Sequence, residues 1–437
     1  MKLKIRSDSI NYTATVVKIN NLFPLDGLDN LQGTNIFGNQ LILGKDVKLD
    51  DIGLFFPPEA RLSDEYCKQN NLFRHPEKNK DKDKKSYIED NGRVKAIKLR
   101  GHNSMGLFMP LSSLLFVGDF NLELGTEFNE INGFEVCRKY VRRYNKIPGT
   151  ATRIKALKLV DLVDTRCTPE HIQTTNLFRN IHELNLNDNV TITEKLEGTS
   201  LRTSHNIVYR KLRFYEKVLA RLGVAIQKYD YKYICASRRV IKSINFNELA
   251  GKQHFHGFDI WTEASLIFKD KLPRSYVVFS EIVGYDGQKP IQPHYTYSLN
   301  PWEFKTFVYR IAVSTPDGLL QDLPWPILVE KCKEWGVDHV PLIFDGKLID
   351  FIAQHDPSVM LDTENWHGKL EKIIKDNYLD KPSSLCSNTW NEVCEGIVVT
   401  SIKSGIFKYW KAKSPIYLLR NSNDLDKEDF VDLEEQN

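Results

Sequence analysis

The sequence is poor in the features that mark secreted, membrane-spanning or fibrous chains. Its seven cysteines, at positions 67, 137, 167, 235, 332, 386 and 394, form no CxxC spacing and are odd in number. Neither a disulfide scaffold nor a zinc knuckle is expected from them, and a reducing interior is the default setting. No stretch approaches the roughly 18 uninterrupted apolar residues of a membrane span, so no membrane partner is expected. The opening MKLKIRSDSINY has no apolar segment behind its positive charges. A secretory signal is therefore not expected, and a cytoplasmic location is the default. No internal repeat of the roughly 20–50-residue kind recurs. An excess of one charge sign is missing as well, since 60 basic and 57 acidic side chains leave only +3. Any nucleic-acid site must then be a local patch.

What is present suits a globular chain. Its 437 residues are 41% apolar and 27% charged, enough for two or three domains at about 150 residues each. Over residues 1–115 the text alternates in short runs broken by Gly and Asp turns. Examples are Tyr12 to Ile19, Gln40 to Leu43, Leu54 to Phe56, Arg93 to Leu99 and Gly106 to Met109. Many short strands without a long helix predict a small barrel. The tract His75 to Lys85 (HPEKNKDKDKK) is too polar to pack and reads as a flexible loop. Residues 116–165 read as a connector closing on Lys146-Ile147-Pro148-Gly149-Thr150. A larger unit follows over 166–420, mixing helical text (213–228, 325–335, 366–377) with strands such as 275–283 and 395–400. Residues 421–437 hold seven acidic side chains and one lysine, and read as a solvated tail.

The sharpest chemical signal is Thr193-Glu194-Lys195-Leu196-Glu197-Gly198-Thr199-Ser200. A lysine at a strand end before a glycine turn can project its amine into a pocket and act as a nucleophile once its pKa is lowered. Gly198 permits the turn, and the two hydroxyls can meet a ligand. By itself the pattern also fits an ordinary surface turn. Further signals follow in order. Ser237-Arg238-Arg239 can present guanidiniums to phosphate. Glu281 sits in the strand-like FSEIVG, where a carboxylate needs a partner. Phe304 to Val313 is an aromatic strand whose Phe307 and Tyr309 suit either a core or base stacking. Glu395 opens EGIVV, and Lys411 and Lys413 lie two apart, on one side of an extended strand.

The ordered set K-x-x-G, S-R, S-E-I-V-G, the aromatic strand, E-G-I-V-V and K-x-K resembles the covalent nucleotidyltransferases, the polynucleotide ligases and mRNA capping enzymes. The barrel precedes this unit here, whereas DNA ligases and capping enzymes carry theirs after it. The stretch RVKAIKLRGHNSMGLFMPL (Arg93 to Leu111) and the connector text LELGTEFNEING (Leu122 to Gly133) are similar to those of the Naegleria-type ATP-dependent RNA ligases. That resemblance implies an α+β protein: an N-terminal OB-fold β-barrel over 1–115, the 116–165 connector, and then an adenylyltransferase domain of antiparallel sheets flanked by helices over 166–420.

Carried over by position, the resemblance makes Lys195 the adenylylated residue, with Lys411 and Lys413 as phosphate-binding lysines. Glu194 stands where a related branch contacts adenine, Arg238 on the nucleotide's sugar and phosphate side, and Tyr309 where an aromatic stacks on the base. Gly198 shapes the nucleotide pocket. Glu281 and Glu395 match carboxylates that hold metal water or ribose, and Glu197 stands where an aspartate is usual. Arg310 replaces a common acidic residue. Arg179, in TNLFRN, resembles an upstream arginine segment.

The implied cofactors are ATP and Mg2+ or Mn2+. The implied chemistry is lysyl-AMP formation, transfer of AMP to a 5′-phosphate, and attack by a 3′-hydroxyl, in RNA repair. The first step needs a Lys195 pKa below lysine's ordinary value near 10.4. The partner is RNA carrying those ends, with a nicked duplex among the candidates, and a monomer is the default. Lys95, Lys98 and Arg100 alternate with apolar residues and are expected to form a cationic row for nucleic acid. The segment Tyr209 to Ser237 is longer than the family's and reads as a helical insertion. Competing readings are a DNA or RNA-to-DNA ligase and a catalytically silent RNA-binding protein.

Overall fold

The computed structural model describes residues 1–141, 162–248, 259–386 and 393–427. The expected Lys146–Thr150 connector end and residues 428–437 of the acidic tail lie outside the described residues. The larger unit is built on two antiparallel sheets. In the first, the β-branched strand Asn189–Lys195 (NVTITEK) pairs with Gly396–Lys403 (GIVVTSIK), which pairs in turn with Ile406–Lys413. Thr175–Asn176 adds in parallel at one edge, and Leu342–Lys347 pairs at the other. The second sheet runs Tyr229–Ala236, Thr199–Tyr209, Tyr276–Asp286, Phe304–Ser314, with short strands outside. Only Leu196, Glu197 and Gly198 separate Lys195 from the second sheet, so the chain crosses between the sheets at its sharpest motif.

Each sheet buries one face against helices. Leu348–His355 and Trp366–Asn377 cover the first sheet through Phe351, Ile352, Leu370, Ile373 and Ile374, which meet Val190, Ile192, Ile397 and Val399. Trp325–Trp335 covers the second with Leu328, Cys332 and Trp335 on one helical face. That helix has Pro326 in its first turn and stops at Gly336, whose φ of +65° closes a left-handed cap. The helical text at 325–335 and 366–377 thus coincides with helices.

The N-terminal unit buries two clusters, one including Val16, Leu54, Phe56, Leu62, Tyr66 and Phe128 and the other Val17, Ile19, Leu41, Leu43 and Phe55. Among the described residues its strands form five small sheets, and the pairing traces no closed barrel. The strands are short, and tight turns fold them back on themselves: Leu31–Ile36 on Asn39–Gly44 around Phe37 and Gly38, and Ala96–Leu99 on His102–Met105 around Arg100 and Gly101. All four turn residues have positive φ. The 75–85 tract is also more ordered than its charge implies. It wraps Asn79, which is fully buried and bonds Phe73 N, Phe73 O and Lys84 O at 2.9, 3.0 and 2.7 Å. The polar tract packs because one amide satisfies the backbone around it.

Arg93 is the main clamp between the two units. Its side chain is fully buried, pairs with Glu59 at 2.6 Å and with Asp426 at 2.8 Å, and donates to Ser422 O at 2.9 Å. It therefore ties the N-terminal unit to the last helix, Pro415–Asp424, and the turn after it. Arg93→Ala leaves Glu59 buried without its counter-charge, and a loss of about 3–5 kcal/mol is expected. Denaturant unfolding monitored by tryptophan fluorescence checks this; a midpoint within error of wild type would show that the clamp is dispensable.

Candidate active-site cleft

Three neighbouring strands bring the motif residues together. Lys195 lies opposite Gly396, and Gly396 lies opposite Lys413, so the two lysines flank the strand that Glu395 precedes. Glu395 is 1% exposed and takes both amines: Lys195 Nζ at 2.5 Å on Oε2 and Lys413 Nζ at 2.8 Å on Oε1. Gly396 allows this approach, because its φ is +149° and a Cβ there would lie 2.0 Å from Ala412 O. Gly198 serves the same end on the other side, where a Cβ would lie 2.2 Å from Ile282 O. A methyl at Gly396 would push its strand away from Ile406–Lys413, and one at Gly198 would push the crossover away from Tyr276–Asp286.

The carboxylates and amines set each other's protonation. Burial opposes the charge on Glu395, but Lys195 and Lys413 outweigh it and hold the carboxyl well below its usual range. Burial and the neighbouring Glu395 push Glu197 well above the usual carboxylate range. Burial also pulls Lys195 down, yet Glu395 more than offsets this and raises it above ordinary lysine. This differs from the expected depressed nucleophile: with protein groups alone, the contact with Glu395 keeps Lys195 an ammonium. The depressed lysine is Lys411, lowered by burial and then by Lys413 and Lys195, and it makes no ion pair among the described residues.

Amine reactivity follows from these directions. Between pH 7 and 9, limited acylation of nucleotide-free protein is expected to modify Lys411 before Lys195. In Glu395→Gln, which removes the charge that holds the proton on Lys195, reaction at Lys195 is expected at lower pH. Peptide mass spectrometry reads both. Prior modification of Lys195 in the wild type would contradict the assignment.

The second sheet supplies the opposite wall. Glu281 faces Ser200 across one strand pair and Phe307 across the other, and it lines the cleft. Phe307 is buried in the core, whereas Tyr309 lines the cleft. The pairing slips beside Tyr309, with Phe279 opposite Arg310 and Ser280 opposite Val308. Such a bulge re-aims a side chain. The Tyr309 hydroxyl lies 2.5 Å from His171 Nδ1. Arg310 pairs with Asp322 at 2.8 Å and stacks over Phe279 with its guanidinium 4.3 Å from the ring centre. Arg238, in the turn after Ala236, also lines the cleft.

Other predicted residues are placed elsewhere or occupied otherwise. Glu194 lines the cleft, and its carboxylate bonds Ser383 Oγ, Ser384 N at 3.0 Å and Ser384 Oγ at 2.7 Å. Lys95, Lys98 and Arg100 do not form a row. Lys95 precedes the strand Ala96–Leu99 and is held by Glu89 and Asp426 at 2.9 and 2.8 Å. Lys98 is exposed, while Arg100 sits in the turn and donates to Gly27 O at 2.8 Å. Arg179 is 8% exposed and braces the N-terminal unit through Thr13 Oγ1 at 2.9 Å, Ile10 O at 3.1 Å and Glu127 at 3.2 Å. Its burial makes it a strut.

The sequence reading missed several cleft residues. Tyr417, from the last helix, donates to Glu197 Oε2 at 3.1 Å, and the Tyr297 hydroxyl accepts from Glu197 N at 2.6 Å. Tyr12 and Lys139 come from the N-terminal unit, and His171 from the segment before Thr175. None stands in a motif with a telling spacing; only the tertiary fold gathers them.

The donor set suits a hard divalent cation. Burial and then Glu395 raise the Glu197 carboxyl, and Glu281 lies across the cleft. Among the described residues no three His, Cys, Asp or Glu side chains converge as a ready cage. Carboxylates that leave room for water ligands fit Mg2+ or Mn2+ better than a closed cage would.

A family model described as RNA ligase matches residues 188–410, just over half of the chain. A comparison with curated proteins gave no match. Among solved structures, a variant of the Naegleria gruberi RNA ligase with ATP and Mn is similar, with 18% identity and a TM-score of 0.56 over 93% of this chain and 98% of that one. The same organism's RNA ligase with PPi is similar at 17% identity and a TM-score of 0.56, covering 94% and 98%. A variant with AMP and Mn matches at 17% identity and a TM-score of 0.54, covering 93% and 98%. No helix among the described residues is long and apolar enough to cross a membrane.

Proposed function

The chain belongs to the RNA ligase family, and we propose that it uses ATP to join a 3′-hydroxyl to a 5′-phosphate in RNA, through AMP carried on Lys195. The observation that carries this reading is the Lys195–Glu395–Lys413 bridge with Lys411 beside it, which makes no ion pair among the described residues. A nucleophile, its restraint and two phosphate-binding cations meet at one strand edge. The similar enzyme of Naegleria gruberi with ATP and Mn, or with AMP and Mn, supports the choice of nucleotide and ion.

Each step is a phosphoryl displacement, in which placement and charge neutralisation do most of the work. Lys195 attacks the α-phosphate of ATP, a P–N bond forms, and pyrophosphate leaves. Lys411 and Lys413 lie on the same strand two residues apart, and their cationic heads would take the phosphate oxygens as negative charge gathers there. Lys195 must first lose the proton that Glu395 retains. Glu395, Glu197 and Glu281 would help to hold a divalent cation, with water completing its shell, and its positive charge would lower the amine's pKa. Tyr309 and His171 offer flat surfaces to the adenine, and Arg238 a guanidinium to the sugar and phosphate side. A 5′-phosphate then takes AMP from Lys195. The RNA 3′-hydroxyl attacks that activated phosphate and AMP leaves. The N-terminal unit, which we read as of OB type, borders the cleft through Tyr12 and Lys139 and would hold RNA there.

The test is sealing of a nicked RNA duplex carrying a labelled 5′-phosphate and a 3′-hydroxyl, with ATP and Mn2+ or Mg2+, beside an all-DNA nick of the same sequence. Joined RNA with release of AMP is the expected result. Joining of DNA alone would move the reading to a DNA ligase, and no joining of either with label-competent protein would reject it.

A further inference from the structure

The insertion between the strands Thr199–Tyr209 and Tyr229–Ala236 folds into a helix, Phe214–Arg221, that buries none of its residues. Phe214 is 83% exposed, Tyr215 54% and Leu222 75%. A single exposed apolar side chain needs no explanation, but a cluster on one projecting element marks an interaction site. Core packing does not hold the helix, so local devices must. The Glu216 carboxylate accepts from Arg213 N at 2.7 Å and from Arg210 Nη1 and Nη2 at 3.0 and 2.7 Å, closing the first turn. Gly223, at φ +84°, ends the helix, and Val224 N returns to Leu219 O at 3.0 Å. The platform is therefore built in advance of any partner.

Its charge selects the partner. Residues 210–232 hold seven basic and two acidic side chains. Lys217, Arg221 and Lys228 are exposed and make no ion pair among the described residues. A second copy of the chain would set these cations against each other. A polyanion with flat apolar faces satisfies both the cations and the aromatics, and unpaired RNA is such a ligand. The strand Thr199–Tyr209 starts at the cleft and runs ten residues outward, which at ~3.3 Å per residue carries the platform ~30 Å from the reaction.

We propose that residues 210–228 form an RNA-binding arm that takes a single-stranded segment extending from the ends being joined. This rests on the RNA ligase reading for the substrate class, and it assigns a site outside the cleft. The arm would add affinity for tailed substrates without taking part in chemistry.

The test compares wild-type protein with Phe214→Ala/Lys217→Ala/Arg221→Ala, all exposed positions, by fluorescence anisotropy without ATP. One RNA is a nicked duplex; the other is the same duplex with a long single-stranded extension. The extension is expected to tighten wild-type binding about tenfold, and that gain should vanish in the variant. The slope of log K against log salt for the tailed RNA should fall by about 2, one for each lysine or arginine removed. Unchanged thermal unfolding shows that the variant is folded. An equal gain in both proteins, or none in the wild type, overturns the proposal. So does wild-type binding to phosphatidylserine vesicles that the variant loses while its RNA binding is unchanged, which would assign the arm to a lipid surface. Because anisotropy needs no catalysis, these outcomes stand apart from any failure of the sealing assay.

Discussion

Lys195→Ala is expected to take no label from α-labelled ATP and to seal no RNA nick. The loss should be complete, because nucleophilic catalysis removes the barrier by a route that the variant lacks altogether. Lys195→Arg should be equally silent: its guanidinium keeps a charge at the same place but does not shed its proton in a protein. That pair separates the nucleophile from the cation, which alanine alone cannot do. RNA supplied with AMP already joined to its 5′-phosphate should restore sealing in Lys195→Ala, since the last displacement needs only the 3′-hydroxyl and a neutralised phosphate. Label incorporated by either variant would show that the lysine chosen here is the wrong one.

Lys411→Met is expected to move activity and stability in opposite directions. Among the described residues Lys411 has no carboxylate in an ion pair, it lies beside two other lysines, and its pKa lies well below ordinary lysine. A half-buried cation of this kind weakens the fold and is held for what it binds. Methionine of similar length should slow lysyl-AMP formation by about 10²–10³, the usual cost of removing one charge-stabilising group from a transition state. The same change should raise the unfolding midpoint. The folded pKa of Lys411 is depressed, so the wild-type penalty is largest below that pKa and fades as pH rises toward about 10.5, where the unfolded lysine also loses its proton. The gain from methionine should fade over the same window. Stopped-flow or quench labelling and unfolding curves at several pH values measure both halves. A variant that is both slow and less stable would mean that Lys411 is a structural lysine.

What could be read from the sequence is what lies in short range. Lys195 ends its strand three residues before the turn at Gly198, and period-two spacing brings Lys411 and Lys413 to one strand face. The helices 325–335 and 366–377 were legible because apolar residues recur at helical spacing over whole turns. What the sequence does not show is long-range. Alternation finds the N-terminal strands but says nothing of their partners, and these strands pair into small sheets. The charge of the 75–85 tract hides Asn79, whose amide organises it. The protonation of Lys195 depends on Glu395, 200 residues along the chain. Tyr417 reaches Glu197 only because the last helix folds back over the cleft, and the same fold-back buries Arg93 against Glu59 and Asp426. Arg179 looked like a ligand arginine because its partners Thr13, Ile10 and Glu127 lie in another unit.

The central claim is that one particular amine carries AMP. It is tested most directly by incubating the intact protein with ATP and Mn2+, separately with GTP and Mn2+, and mapping the modified peptide by mass spectrometry. A single AMP on Lys195 from ATP is expected, with none from GTP and with an adduct that acid removes, as a phosphoramide should be. AMP on any other residue, a GMP adduct in its place, or unmodified protein from a nucleotide-free preparation would contradict it.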